Sequence, residues 1–294
     1  MKIGIVGQGF VGSAIREGLK NYYEVLTYDI DNSKCNSTLE ELVGWSEIVF
    51  VCVPTPMRKD GSCDTRILED AIDSVDIACG NAGRQTTRPT LVVKSTVPPG
   101  TVRRINEKYQ NRWDKKPDMN ICFSPEFLTE ANSFEDFKNQ TRIIVGGNPD
   151  KNCEGSRKVK TMFRKPFPNI PIVVTKWETA EMVKYFTNCF LATKVTFANQ
   201  MYEICEAANI DYDKVCEYTL HDERIGKSHL AVPGPDGDLG FGGHCFPKDL
   251  AAMIAFAGDA SADDYFLKAV EIYNNSVRSN RDWEKMKGRA VSDD

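Results

Sequence analysis

Toward the end of the chain, one cysteine stands where a protein could use it as a nucleophile. Cys245 follows the glycine-rich stretch 240–243 and precedes Pro247, which suits the first turn of a helix. A thiol beside a helix N-terminus, with Lys248 one turn along, is expected to ionise more readily than an ordinary thiol, and the thiolate is the reactive form. The alternative interpretation is a buried, inert thiol, as most free cysteines are.

A second chemically informative pattern opens the chain. Residues 2–7 predict a short buried strand, and Gly7, Gly9 and Gly12 follow with the GxGxxG spacing ahead of a helical pattern. In this context the glycines allow a pyrophosphate to approach the helix N-terminus. The second predicted strand ends at Asp29, where a carboxylate is expected to bind the adenosine ribose and to favour NAD over NADP. We therefore predict that this region binds NAD.

The elements that position these residues alternate between strand and helix. After the first two, strands are predicted at 47–53, 90–94, 120–123, 142–145 and 170–174, with helical patterns between them. This alternation is typical of an α/β fold with a Rossmann-like, doubly wound and mostly parallel sheet. The carboxyl ends of such strands meet at one edge, where we expect to find Asp29, Thr55, Thr96 and Glu130.

Two helix starts in this region can be predicted from capping residues. Asp64 is expected to cap a helix that begins near Thr65. Asn148 is expected to cap, and Pro149 to begin, the helix that precedes the last predicted strand.

The second part of the chain has the pattern of a helical domain. Residues 176–209 predict one long helix with apolar residues on more than one face, which favours a domain spine and the interface of a homodimer. Lys184 and Asn188 lie one turn apart on this helix, with a solvated surface pair as the alternative interpretation. The predicted domains are an NAD-binding Rossmann domain at 1–175, a helical central and dimerisation domain at 176–280 that carries Cys245, and a frayed tail at 281–294.

Composition and charge exclude several functional classes. The net charge of −5 predicts no partner among nucleic acids or anionic membranes. No apolar run is long enough to span a bilayer, and the N-terminal residues lack the pattern of a signal peptide. The ten cysteines contain no CxxC pair and are expected to be reduced, in a cytoplasmic compartment. With three histidines in the chain, no metal site is expected.

Taken together, several motifs resemble those of the UDP-glucose/GDP-mannose dehydrogenase family, most closely its UDP-glucose 6-dehydrogenases. The resemblance covers roughly residues 1–280. It rests on motifs in the family's order: the GxGxxG turn, Val53-Pro54-Thr55-Pro56, the stretch 95–100, Ser124-Pro125-Glu126-Phe127-Leu128 with Glu130, Lys184 with Asn188, and the stretch 240–249. Family members normally continue into a further Rossmann-like domain that binds much of the nucleotide. Because this sequence stops at Asp294, we expect either a fragment or a short form that lacks the C-terminal nucleotide-binding domain.

The resemblance implies a four-electron oxidation of the C6 alcohol of a nucleotide sugar, UDP-glucose above all, to a carboxylate with two NAD in succession. Cys245 would form a thiohemiacetal and then a thioester, and Glu130 would activate the hydrolytic water. The implied catalytic residues are Cys245, Lys184, Asn188, Glu130, Asp249 and Thr96. The expected NAD contacts are Gly7, Gly9, Phe10, Val11, Gly12, Asp29, Lys34, Thr55, Thr96, Glu130 and Lys248. The expected contacts to the sugar nucleotide are Glu126, Phe127, Leu128, Lys184, Asn188, Gly242 and Arg224, the last reaching into a neighbouring subunit.

Two other functions stay open on the sequence. A two-electron hydroxyacid dehydrogenase would share the NAD domain, the long helix and the lysine–asparagine pair, although Cys245 and the 124–130 motif speak against it. A non-catalytic NAD-binding protein is the other alternative, because one fold supports many functions.

Overall fold

The structure, a computed structural model, describes residues 1–83, 88–112, 120–148 and 154–293. The chain divides into two compact units. Unit 1 comprises Met1–Thr55 and Thr65–Lys184, and unit 2 comprises Pro56–Asp64 and Tyr185–Asp294. The chain therefore enters unit 2 briefly after Thr55, returns to unit 1 at Thr65, and enters unit 2 again inside the long helix, after Lys184.

Unit 1 is built on a seven-stranded sheet. Its strands are β1 (Lys2–Val6), β2 (Glu24–Tyr28), β3 (Ile48–Val51), β4 (Thr90–Val93), β5 (Ile121–Phe123), β6 (Ile143–Gly147) and β7 (Ile172–Lys176). The order is β2-β1-β3-β4-β5-β6-β7, and every neighbouring pair is parallel except β5 with β6. The predicted α/β fold with a mostly parallel sheet is confirmed.

Helices cover both faces of this sheet. Those of unit 1 are α1 (Phe10–Leu19), α2 (Leu39–Trp45), α3 (Arg66–Asn81), α4 (Thr101–Arg112), α5 (Ser133–Lys138) and α6 (Glu154–Arg164). All four side chains of β3 are buried, and successive ones join different core clusters: Val49 and Val51 one, Ile48 and Phe50 the other. This alternation is what a strand buried on both faces requires.

Unit 2 is helical. It contains the greater part of α7 (Trp177–Ala208), together with α8 (Tyr212–Thr219), α9 (Phe246–Asp259) and α10 (Tyr265–Val277). Its core packs Tyr185 of α7 with Leu250 and Met253 of α9 and Val270 of α10. Two aromatic side chains of α7 are exposed in this unit: Phe186 is 71% exposed and Phe197 is 62% exposed.

The observed helix starts differ from the predicted ones at two places. The N-cap residue of α3 is Thr65 and not Asp64, and one oxygen of the Asp64 carboxylate pairs with the Arg58 guanidinium at 3.1 Å. Helix α2 was not predicted, although Thr38 and Glu41 form a reciprocal capping box that its sequence spacing indicates. The predicted helix start at Pro149 lies outside the described residues.

The C-terminal residues are not frayed, contrary to the prediction. Trp283 and Ala290 are buried, and the Met57 N–H donates to the Ala290 carbonyl oxygen at 2.8 Å, while the Ser292 N–H donates to the Met57 carbonyl oxygen at 2.8 Å. Backbone hydrogen bonds to the distant residue Met57 and the burial of Trp283 and Ala290 therefore order a stretch whose composition is polar.

Candidate active site

The turn between β1 and α1 has the geometry of a nucleotide-binding turn. Gly7 has φ +90°, and a Cβ there would lie 2.4 Å from the Cys52 carbonyl oxygen; a Cβ on Gly12 would lie 1.9 Å from the Gly7 carbonyl oxygen. Gly9 is the N-cap of α1, has open space where a Cβ would be, and offers no capping side chain. The first turn of α1 also lacks acidic residues, so its N–H groups and its dipole suit an anion.

Asp29 lies directly beside this turn. Its Oδ2 accepts a hydrogen bond from the Gln8 N–H at 2.5 Å, and its Oδ1 accepts one from the Asp31 N–H at 2.9 Å. A carboxylate in this position, after β2, fits the role of a ribose ligand. Lys34, in a short 3₁₀ turn, pairs with Asp31 at 3.2 Å on the surface.

Replacing Asp29 by Asn is expected to reduce the preference for NAD over NADP. The amide keeps an acceptor for the Gln8 N–H, but it removes the negative charge that repels the 2′-phosphate of NADP, a Coulomb effect of at least about 1.4 kcal/mol. We expect the ratio of the two dissociation constants, measured by titration calorimetry, to fall at least about tenfold. Asp70→Asn, which removes an exposed carboxylate of α3, should leave the ratio unchanged, and an unchanged ratio in Asp29→Asn would contradict the assignment.

The loops that follow β3 and β4 are joined by side-chain hydrogen bonds. Thr55 Oγ1 donates to the Thr96 carbonyl oxygen at 2.7 Å, and Ser95 Oγ donates to the Val53 carbonyl oxygen at 2.6 Å. Glu130, in the loop after β5, is exposed. Residues predicted for one rim thus follow neighbouring parallel strands of unit 1, although their ligand contacts stay a prediction.

A buried charge cluster lies in unit 1 around Glu126. Glu126 Oε1 pairs with Lys184 Nζ at 2.9 Å, and its Oε2 accepts a hydrogen bond from the Leu128 N–H at 2.5 Å. The Phe127 ring has the Lys184 ammonium 5.5 Å and the Arg142 guanidinium 4.1 Å from its centroid. Glu126, Phe127 and Leu128 line a cleft of about 270 Å³, and the paired Lys184 ammonium can stabilise a developing negative charge.

Lys94 belongs to the same cluster and was missed by the sequence analysis. Lys94 is buried and is one of the residues that line the same cleft, and its Nζ donates to the Pro125 carbonyl oxygen at 2.9 Å. Burial lowers the pKa of Lys94 to about 8, against the opposing effect of Glu126. One sequence feature could have identified it: Lys94 ends a predicted strand whose other side chains are all apolar or β-branched.

Because its folded-state pKa lies below its ordinary value of 10.5, Lys94 makes stability rise with pH. Between about pH 8 and pH 10.5 the unfolded chain holds a proton at Lys94 that the folded chain has lost, so the free energy of unfolding increases by up to about 3 kcal/mol. The free energies of unfolding of the wild type and of Lys94→Met are measured with urea at pH 7.5 and pH 10. Between these two pH values, we expect the wild type to gain stability relative to the variant. A difference between the two proteins that stays constant with pH would contradict it.

In unit 2, Asp249 holds two of the predicted residues. Asn188 Nδ2 donates to Asp249 Oδ2 at 2.6 Å, and Lys248 Nζ donates to Asp249 Oδ1 at 2.5 Å; all three side chains are buried. Although burial opposes its charge, the Asp249 carboxylate raises the pKa of Lys248. The Lys248 charge expected to act on Cys245 is therefore largely compensated by its neighbour.

Cys245 is the N-cap of α9, and its thiol is half-buried. Its Sγ lies 3.4 Å from Nε2 of His244, a contact that the sequence analysis did not predict. The backbone ahead of it is held by Asp282, whose Oδ1 accepts from the Gly243 N–H at 3.0 Å. A thiol at a helix N-terminus beside an imidazole can act as a nucleophile.

Gly242 and Arg224, two of the predicted substrate contacts, each lie beside charged side chains of unit 2. A Cβ on Gly242 would lie 2.4 Å from the Arg278 guanidinium and 2.6 Å from Asp282 Oδ1, so a larger side chain would have to displace these charged groups. Arg224 is exposed and binds the Asp222 carboxylate, with Nε 2.9 Å from Oδ1. Their contacts with a sugar nucleotide stay predictions.

Two other kinds of feature are absent from the described part of the chain. Within the described ranges no group of His, Cys, Asp or Glu could hold a metal ion. Among the same residues, no helix is long and apolar enough to cross a membrane.

Two family models match the chain. The one described as the NAD binding domain of the UDP-glucose/GDP-mannose dehydrogenase family matches residues 34–165, and the one described as the central domain of that family matches residues 178–276. The matched ranges include most of the predicted site residues.

Individual relatives agree with these matches. UDP-glucose 6-dehydrogenase YwqF of Bacillus subtilis (strain 168) is 31% identical over 95% of this chain and 67% of its own length. A UDP-glucose dehydrogenase from Pyrobaculum islandicum superposes with a TM-score of 0.80 at 29% identity, over 94% of this chain and 68% of the other. A 3-hydroxyisobutyrate dehydrogenase of Mycobacterium tuberculosis, at 16% identity and a TM-score of 0.71, shares the fold over 94% of this chain and 93% of its own.

Proposed function

Because the chain belongs to the UDP-glucose/GDP-mannose dehydrogenase family, we propose that it oxidises the C6 alcohol of a nucleotide sugar, UDP-glucose first among them, to a carboxylate. The observation that carries the proposal is the half-buried Cys245 thiol at the start of α9. An enzyme that only converts an alcohol into a carbonyl compound needs a base, whereas one that continues to the acid without releasing the aldehyde needs a covalent nucleophile.

The cofactor is NAD, and the residues of unit 1 fit it. Gly7 and Gly12 shape the turn, Gly9 leaves room for the pyrophosphate at the N-terminus of α1, and Asp29 accepts the ribose hydroxyls. When bound, the nicotinamide supplies a hydride acceptor for each of the two oxidations. We assign Phe10, Val11, Lys34, Thr55, Thr96, Glu130 and Lys248 as further contacts.

The two polar residues of α7 are proposed to stabilise the oxyanion that forms at the sugar C6. The Lys184 ammonium is buried and paired with Glu126, and the Asn188 amide is buried and bonded to Asp249. Donors that are already held in position need little reorganisation when charge develops. Asp249 is assigned to the reacting hydroxyl, and Glu126, Phe127, Leu128 and Gly242 are assigned to the sugar nucleotide.

Cys245 is proposed to attack the aldehyde carbon, which gives a thiohemiacetal. Loss of a hydride and a proton from this adduct leaves a thioester, and water then cleaves the carbon–sulfur bond to release the carboxylate and the thiol. Glu130, an exposed carboxylate, is assigned as the base that activates this water, with Thr96 beside it.

The proposal includes a homodimer formed through the long helix at 176–209. Its support is the exposure of Phe186 and Phe190, whose rings stack on α7 with centroids 6.4 Å apart, and of Phe197 further along. Exposed aromatic side chains of this kind are typical of interfaces. Arg224 is assigned to the sugar site of the neighbouring subunit. A reducing, cytoplasmic compartment is proposed because the cysteines of the described residues are thiols.

The test is the amount of NADH formed per sugar. A panel of UDP-glucose, UDP-N-acetyl sugars and GDP-mannose is assayed with NAD, and the product is examined for a carboxylate. Two NADH per sugar and a carboxylate product support the proposal. One NADH per substrate would indicate a two-electron dehydrogenase, and NAD binding without any turnover across the panel would indicate a non-catalytic protein.

A further inference from the structure

An imidazole that the proposed reaction does not use lies next to the proposed nucleophile. His244 Nε2 is 3.4 Å from Cys245 Sγ, and both side chains are half-buried in unit 2. We infer that His244 is the base that takes the proton of the Cys245 thiol and so prepares the thiolate for attack. The inference rests on the proposed function, which gives Cys245 its role.

The backbone on both sides of the pair is held in place. Gly243 adopts φ +68°, and its N–H donates to both carboxylate oxygens of Asp282, at 3.0 and 3.2 Å. On the other side, the Phe246 ring packs against Phe241 with centroids 5.9 Å apart and against His229 at 5.8 Å. The approach of imidazole to thiol is therefore imposed by an ordered loop and by the start of α9.

The charged groups around the pair are engaged elsewhere. On α9, Lys248 donates to Asp249, and Asp249 accepts from both Lys248 and Asn188. After α10, Asp282 accepts from the Gly243 N–H, and Arg278 pairs with Asp236. Lys248 is also close enough to the Cys63 and Cys245 thiols to interact with them electrostatically, but as a protonated, paired cation it accepts no proton.

Imidazole is the side chain that is both basic and largely neutral near pH 7. With its own proton on Nδ1, His244 presents the Nε2 lone pair to the sulfur. The contact joins the two atoms between which the proton moves, and no relay through a third group is needed. His244 therefore counts as a catalytic residue in the proposed reaction.

The step balances in protons and electrons. Nε2 removes the proton from Sγ, the sulfur electron pair forms the bond to the aldehyde carbon, and the carbonyl oxygen takes the electron pair of its π bond. The imidazolium then returns the proton to that oxygen. The product is a neutral thiohemiacetal, and the imidazole is regenerated for the later release of the thiol.

The experiment is alkylation of the full chain by iodoacetamide from about pH 5.5 to pH 9.5, with the modification of each cysteine quantified by mass spectrometry. In the wild type we expect Cys245 to react at a lower pH than an ordinary thiol. In His244→Gln the midpoint should rise by about one pH unit, so that the rate at pH 7 falls about tenfold. His244→Ala should give the same result, which shows that the base and not the new amide is responsible.

Cys216, a half-exposed thiol of α8, is the internal control, because its rate in each variant reports whether the fold of unit 2 is intact. Equal Cys245 rates in the wild type and in both His244 variants, with Cys216 unchanged, would overturn the inference. That result leaves the proposed function standing if Cys245→Ser still abolishes carboxylate formation. A different outcome is also possible: the pH dependence of Cys245 alkylation shifts in the His244 variants, but Cys245→Ser still forms the carboxylate. That result would support His244 as the base for the thiol and would contradict the proposed function.

Discussion

Replacing Cys245 by Ser is expected to reduce carboxylate formation from a nucleotide sugar by at least about 10³-fold. A serine hydroxyl at the start of α9 is almost entirely protonated near neutral pH, so it neither captures the aldehyde efficiently nor forms a thioester. NAD binding should be largely unaffected, because the glycine turn after β1 and Asp29 after β2, which are proposed to bind its pyrophosphate and ribose, are unchanged in this variant. The measurement combines NADH absorbance with mass spectrometry of the sugar product.

The matched control for this change is Cys216→Ser. Cys216 is also a half-exposed thiol of unit 2, but it lies on α8, and we expect its loss to leave the rate of acid formation unchanged. Acid formed by Cys245→Ser at the wild-type rate would refute a covalent mechanism. A variant that accumulates aldehyde with one NADH per sugar would agree with it, since only the second oxidation needs the sulfur adduct.

Replacing Lys184 by Met is expected to affect both stability and catalysis. The side chain is 2% exposed and pairs with Glu126, so its removal leaves a buried carboxylate without its cation and costs about 3–5 kcal/mol of unfolding free energy. If Lys184 stabilises the oxyanion at C6, kcat should also fall by about 10²- to 10³-fold. Urea unfolding and steady-state kinetics measure the two effects separately.

The double variant Glu126→Gln with Lys184→Met separates the two roles. A glutamine at position 126 keeps a carbonyl oxygen for the Leu128 N–H, and it carries no charge that needs a partner. We expect most of the lost stability to return while kcat stays low. Recovery of kcat to within about tenfold of the wild type would mean that Lys184 acts through the fold and not on the reacting oxygen.

Much of the fold, and the glycine turn proposed to bind NAD, could be predicted from local patterns in the sequence. Gly12 is required by its close approach to the Gly7 carbonyl oxygen within the β1–α1 turn, and the spacing to Asp29 follows from the length of one helix and one strand. Such relations involve neighbours in the chain or one βαβ unit, so they leave a periodic signature. The Thr38–Glu41 capping box was equally local and could have been found.

Contacts between distant segments were not predictable in this way. Trp283 and Ala290 are buried in a stretch that is polar by composition, because residues near Met57 pair with its backbone. Lys94 ends a strand in sequence, but the loss of its hydration, which lowers its pKa, depends on the residues packed around it. No window of sequence contains both partners of these contacts.

Cys245 shows the same difference between what the local sequence determines and what long-range packing determines. By itself, the sequence determined that Cys245 follows a glycine-rich stretch and precedes a helix, because glycine and proline restrict or permit backbone conformations locally. Only the tertiary structure decided that Asp249 compensates the Lys248 charge, that Asp282 holds the loop at Gly243, and that His244 Nε2 lies 3.4 Å from the sulfur. Side-chain directions and long-range partners are set by packing across the whole of unit 2, and that packing is what places a base beside this thiol.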